Sequence, residues 1–143
     1  MTATPPAPAP PLVALVCGEP RLRRLLQLAL EAGGYAVRDC PRPRDLPAAS
    51  ELAALVVDLD SLRPRLRPPL AHLRAHGLPD AVPALCISVY PAEPEEMPRA
   101  GPTDYLEPPF PAGEVARRVG RLLGEAVSHG APDRADGPLS PAR

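Results

Sequence analysis

Residues 12–35, LVALVCGEPRLRRLLQLALEAGGY, carry two hydrophobic periodicities in succession, and that succession decides the fold. Leu12 to Cys17 form a short continuous apolar run, the pattern of a strand buried on both faces of a parallel sheet. Leu22, Leu25, Leu26 and Ala29 then recur at helical spacing, which predicts one apolar stripe on an amphipathic helix. Pro20 suits the first turn of that helix, and Gly33 and Gly34 suit its end.

The same alternation continues along the chain. YAVRDC (35–40) reads as a second strand, LAALVVDLD (52–60) as a third, AVPALCISV (81–89) as a fourth and DYLE (104–107) as a short fifth. Between the second and third, Pro43 and Pro47 leave room for one or two helical turns at most. A helix is expected around 65–76, with Leu66, Leu70 and Leu73 on one face and Gly77 closing it. Pro91, Pro94, Pro98 and Pro102 argue against a regular helix before the fifth strand. Glu114 to Leu123 predict a last helix with Val115, Val119, Leu122 and Leu123 inward. Five strands alternating with helical segments imply an α/β protein with a five-stranded parallel sheet and right-handed crossovers, helices 2 and 4 short or irregular. Sites in such sheets lie beyond the carboxyl ends of the strands. That rule selects Cys17, Gly18 and Glu19, then Asp58 and Asp60, then Ser88, then the segment EPPF (107–110).

Composition bounds the remaining choices. The 143 residues include 24 Pro and 10 Gly, a share close to that of low-complexity chains, yet 45% of the residues are hydrophobic. Prolines crowd the start, MTATPPAPAPP, and recur near the end. A folded domain is therefore expected over 12–127, with disordered tails at 1–11 and 128–143. The formal net charge is −1, all 16 cationic residues are Arg, and there is one Phe, three Tyr and no Trp. Neither a basic excess nor stacking aromatics point to nucleic acid. The absence of Lys excludes a lysine Schiff base and a lysine phosphate clamp. Cys17, Cys40 and Cys86 form no C-x-x-C pair, which favours a reducing, cytoplasmic setting. No apolar run reaches membrane-spanning length. His72 and His76 stand four apart on one expected helix, without a further ligand motif, and read as ordinary residues near a helix end.

In order, LVALVCGEPRLRRLL, EAGGYAV, LAALVVDLDSLRP, VPALCISVY and AGPTDYLEPPF resemble the receiver domain of two-component response regulators over essentially the whole core. The resemblance implies a flavodoxin-like (βα)5 fold and a role in signal transduction. It places the phospho-acceptor on Asp58, with Asp60 as the alternative because Pro64 follows it by four residues. It places the switch hydroxyl on Ser88 and the switch aromatic on Tyr105. The acidic pair that holds Mg²⁺ in that family falls on Cys17 and Gly18, leaving Glu19 as the adjacent acid, and the family lysine falls on Pro108, before Pro109 and Phe110.

Chemistry follows from those replacements. A carboxylate attacking a phosphoryl group needs positioning and neutralisation of charge by metal and cation. Thiol and glycine side chains are poor ligands for Mg²⁺, which requires hard oxygen donors. An arginine from elsewhere could supply a cation, but the sequence locates none. The expectation is thus a stand-alone, non-enzymatic pseudo-receiver that needs no cofactor and acts in trans on a protein partner, a histidine kinase or a regulator, or as a homodimer. Two alternatives stand beside it. One is a phospho-accepting regulator using Asp58 with Mg²⁺. The other is a small-molecule or redox sensor whose strand-end pocket is lined by Cys17, Gly18 and Pro108.

Overall fold

The computed structural model describes residues 9–64, 69–75, 81–90 and 103–130. The proline-rich segment 91–102, where a regular helix is not expected, and Leu66, His76, Gly77 and most of both tails lie outside those residues. Five parallel strands, β1 (Leu12–Val16), β2 (Ala36–Asp39), β3 (Ala54–Asp58), β4 (Ala84–Ile87) and β5 (Thr103–Leu106), form one sheet in the order β2-β1-β3-β4-β5. This is the flavodoxin-like order, with β1 and β3 flanking the point where the winding reverses.

Alternation along the strands builds two cores. Val13, Leu15, Cys17, Ala54, Val56, Leu85 and Ile87 face helices α1 (Pro20–Ala32) and α4 (Ala112–Gly130). Ala14, Val16, Leu55, Val57, Ala84 and Cys86 face the opposite layer, made by the short helices α2 (Leu59–Leu62) and α3 (Pro69–Ala75). Both faces are covered, which explains why the strands read as unbroken apolar runs.

α1 begins where Glu19 accepts a hydrogen bond from the Leu22 amide at 2.7 Å, a side-chain N-cap followed by Pro20 at the first position. Its buried ridge keeps Leu22 and Leu26 of the expected stripe and departs from it at Leu25 and Leu30. Leu26 and Leu30 are buried and Leu22 packs beside them, whereas Leu25 is 44% exposed. The ridge follows i, i+4, i+8, because α4 crosses α1 near its C-terminus and draws that row inward. Gly33 permits the crossing: a Cβ there would lie 2.5 Å from the Ala116 Cβ. Gly34 has φ of +98°, a left-handed conformation that glycine adopts at little cost.

Two 3-10 turns, Pro43–Asp45 and Ala49–Glu51, stand in place of a second crossover helix, as the prolines require. The third strand is shorter than the sequence pattern suggested. It ends at Asp58, and residues 59–62 turn into α2, because Leu59 and Leu62 gain burial in the α2/α3 core. α3 starts at Pro69 and buries Leu70 and Leu73. α4 runs from Ala112 to Gly130, beginning two residues before and ending seven beyond the expected helix, with Val115, Val119 and Leu122 buried and Leu123 packed at the margin. Among the described residues no helix is long and apolar enough to cross a membrane.

Candidate functional site

The carboxyl ends of β1, β3 and β4 bring the sequence candidates together in two separate groups. On the α1/α4 face, register pairs Val16 with Val57, so that Cys17 and Asp58 follow side by side. Cys17 Sγ lies 3.6 Å from Asp58 Oδ2 as a donor. Both are inside: Cys17 is fully buried and Asp58 only 5% exposed, so Asp58 is not the surface acid that a strand end would ordinarily carry. Burial above all pushes the Asp58 carboxyl up from the usual range, and the Asp60 charge adds to it. The Cys17 thiol, the Asp60 amide and the Ser61 hydroxyl oppose that shift. Burial likewise drives the Cys17 thiol up to about 12, against a backbone contact with Glu19 that lowers it. At neutral pH Cys17 is therefore a protonated thiol and a poor redox sensor or metal ligand.

Gly18 and Glu19 complete this end. The Gly18 amide donates to Ser61 Oγ at 2.9 Å, and Ser61 Oγ donates to the Asp58 carbonyl at 3.0 Å. Ser61 thereby fills the space in front of Gly18, where an added Cβ would meet the Ser61 Cβ at 3.3 Å. Glu19 turns away to cap α1. A hard divalent cation would find one carboxylate here, a protonated thiol and a glycine, a donor set that does not fit Mg²⁺. No group of three or more His, Cys, Asp or Glu side chains suited to a metal occurs among the described residues.

The second group lies at the end of β4, on the α2/α3 side. Asp60, in the first turn of α2, accepts from Ser88 Oγ at 2.6 Å and from Arg63 Nη1 at 2.8 Å on Oδ1, and from the Val89 amide at 2.9 Å on Oδ2. Ser88 Oγ in turn accepts from Arg63 Nη1 at 2.7 Å and from the Tyr90 amide at 3.0 Å. Arg63 and Ser88 are buried, at 8% and 6% exposure. The Arg63 guanidinium also lies 5.9 Å from the centre of the Tyr90 ring, within cation–π range. Arg63 is a buried cation that the sequence did not single out, and it contacts Asp60 and Ser88. Its one available signal was the Asp60/Arg63 spacing of three on a helical turn.

Asp58 and Ser88 share no hydrogen bond; Asp60 is the acid that holds Ser88. Tyr105 sits half-buried against the α2/α3 core, and its carbonyl accepts from Arg118 at 3.3 Å. The Pro108–Pro109 peptide is cis, and Phe110 packs on the α1/α4 core.

These features, a sheet wound in the order 2-1-3-4-5 with an acid buried at the end of its middle strand, bear comparison with known structures. The receiver domain of sensor histidine kinase PA1611 from Pseudomonas aeruginosa PAO1, solved with magnesium coordinated in its active-site cleft, is similar with a TM-score of 0.63 and 23% identity, over 81% of this chain and 99% of that one. The chain has the receiver-domain fold. A response regulator receiver protein from Sinorhizobium medicae is similar with a TM-score of 0.63 and 18% identity, over 82% and 97% of the two chains. Vibrio cholerae chemotaxis protein CheY4 is similar at 0.61 and 19%, over 80% and 99%. No family model matches the sequence. No curated protein matches it either.

Within the receiver fold, a cleft of about 420 Å³ opens beside the β1 end, lined by Gly18, Glu19, Pro20, Arg23, Pro41, Arg42, Ser61 and Leu62. Of the residues expected to line a strand-end pocket, Gly18 lines this cleft and Cys17 and Pro108 do not, and two arginines do. Arg23 pairs with Asp39 at 3.5 Å and Arg42 with Asp45 at 3.2 Å.

Proposed function

We propose that this protein is a receiver-like signalling domain that acts through protein–protein contact without phosphoryl transfer. The observation that carries the reading is the environment of Asp58. Its neighbour across the strand end is a protonated thiol, Ser61 fills the space before Gly18, and among the described residues no group of three or more His, Cys, Asp or Glu suited to a metal surrounds it. Attack on a phosphoryl group would require an ionised Asp58 beside another anion. Burial already disfavours that ionisation, and removing even one stabilising contact from such a transition state commonly costs about 2.7–4 kcal/mol.

Under this reading Asp58, Ser88 and Tyr105 occupy the family positions of acceptor and switch, while Cys17, Gly18 and Pro108 occupy those of the acidic pair and the lysine. Asp58 is then a packing residue that tolerates replacement, and the partner is a kinase or regulator protein. Partner capture tests this directly. A partner retained by the wild-type protein is expected to be retained equally by Asp58→Ala and by protein never exposed to a phosphodonor. Capture that depends on Asp58 and on a phosphodonor contradicts it.

One observation favours a second reading, a small-molecule sensor. The arginine-lined cleft at the β1 end suits a small anionic ligand, and thermal stabilisation by such a ligand without Mg²⁺ would support it.

A further inference from the structure

We propose that the Asp60 carboxylate is a built-in anion that permanently fills an oxyanion cradle at the end of β4. The proposal rests on the phosphate-independent reading above and gives its physical cause: the exit of β4 is already held in its anion-bound arrangement. A hydroxyl, a guanidinium and a backbone amide form the donor set that recognises phosphate, sulfate or carboxylate. Here Ser88, Arg63 and the Val89 amide supply these donors and converge on one side chain at 2.6–2.9 Å.

Two features make the arrangement a cradle with an occupant. First, both carboxylate oxygens are used, Oδ1 by the buried Arg63 and Ser88 and Oδ2 by the Val89 amide. Second, the donors come from two elements, since Arg63 follows α2 while Ser88 and Val89 follow β4. The anion therefore staples the β4 exit to α2. Ser88 extends the staple by accepting from the Tyr90 amide, and Tyr90 stacks on Arg63. Asp60 is tethered to the sheet two residues after β3, so it binds without the loss of translational freedom that a free oxyanion would suffer. An external phosphate would have to displace it. The outward-facing Val89 and Tyr90 side chains, 50% and 64% exposed, are thus presented in one arrangement whether or not a signal arrives.

The test compares wild type with Asp60→Ala and with the near-isosteric Asp60→Asn, by amide hydrogen exchange and by titration with inorganic phosphate. Removing the acceptor is expected to speed exchange at the Val89 amide by about tenfold or more, while sheet amides such as those of β1 and β3 stay protected. Millimolar phosphate is expected to shift the Ser88 and Val89 resonances of Asp60→Ala and slow the Val89 exchange again. The same phosphate should leave the wild type unchanged, and Arg63→Ala combined with Asp60→Ala should abolish the response. If Asp60→Ala does not fold, the exchange comparison is made on Asp60→Asn, with the same acceleration expected.

Val89 exchange equal to wild type in the folded variant overturns the proposal. So does a phosphate response in wild type as strong as that of Asp60→Ala. A phosphate adduct on wild-type Asp58 would end the phosphate-independent reading by a separate route, and the exchange comparison would still decide what Asp60 does.

Discussion

Replacing Cys17 by Asp should convert the buried strand end into a site that cannot close without a metal. The thiol sulfur sits 3.6 Å from Asp58 Oδ2, so the new carboxylate would face the old one at about that separation. Two like charges about 4 Å apart repel by roughly 4 kcal/mol at an effective dielectric constant of about 20. Asp58 is already pushed toward its neutral form by burial, so part of the repulsion is relieved by proton uptake. The expected net loss is about 2–4 kcal/mol, lowering Tm by roughly 5–15 °C in a domain of this size. Mg²⁺ between the two carboxylates offsets the repulsion, and a free concentration about 100-fold above Kd recovers about 2.7 kcal/mol. The assay is thermal unfolding of both proteins with and without Mg²⁺ at matched ionic strength. Wild type should show no Mg²⁺ dependence, and Cys17→Asp should unfold early and be rescued. A wild-type Tm that climbs with Mg²⁺ as steeply as the variant's refutes the reasoning, as does a variant as stable as wild type without metal.

Other outcomes follow from particular contacts. Gly33→Ala should cost about 1–3 kcal/mol by overpacking against Ala116, and Ala116→Gly should recover part of that loss in the double variant, measured by urea denaturation. Asp58 binds its proton more tightly when folded, so its contribution to stability is fully present below the unfolded carboxylate range and is lost as pH rises through the higher folded value. Asp58→Asn should therefore match wild type in acid and become the more stable protein toward neutral pH, the difference appearing in paired melts across that window. All three cysteines are buried, and the thiols of Cys17 and Cys40 are raised to about 12 and about 11. A disulfide reagent at mildly alkaline pH should label none of them in the native protein within the time that labels all three in denaturant, counted by intact mass.

Much of the fold could be read from the sequence because burial on both sheet faces leaves unmistakable apolar runs, as at Leu12–Val16 and Ala54–Val57. The prolines at 43 and 47 likewise announced a crossover without a regular helix. Two local readings failed for a shared reason. Leu25 looked inward and Leu30 was overlooked, because spacing fixes a stripe only to within one ridge and the α4 crossing at Gly33 chooses between ridges. LAALVVDLD read as strand to its end, yet the α2/α3 core takes Leu59 and Leu62 and turns the chain into α2 after Asp58. The site was legible as a set of positions and not as a set of partnerships. Asp58 and Ser88 stand at strand ends, but the acid that reaches Ser88 is Asp60, and the cation beside that pair is Arg63, whose spacing of three from Asp60 does not reveal that it is buried. Contacts spanning 25 to 28 residues depend on the register of β3 against β4, which composition and spacing do not encode.

The central claim is that Asp58 does not accept a phosphoryl group. Intact mass after incubation with Mg²⁺ and a small phosphodonor such as acetyl phosphate, beside an Asp58→Ala control and on protein shown to be folded, tests it most directly. The account predicts an unchanged mass for both proteins. A single phosphate adduct on wild type that is absent from Asp58→Ala would contradict it.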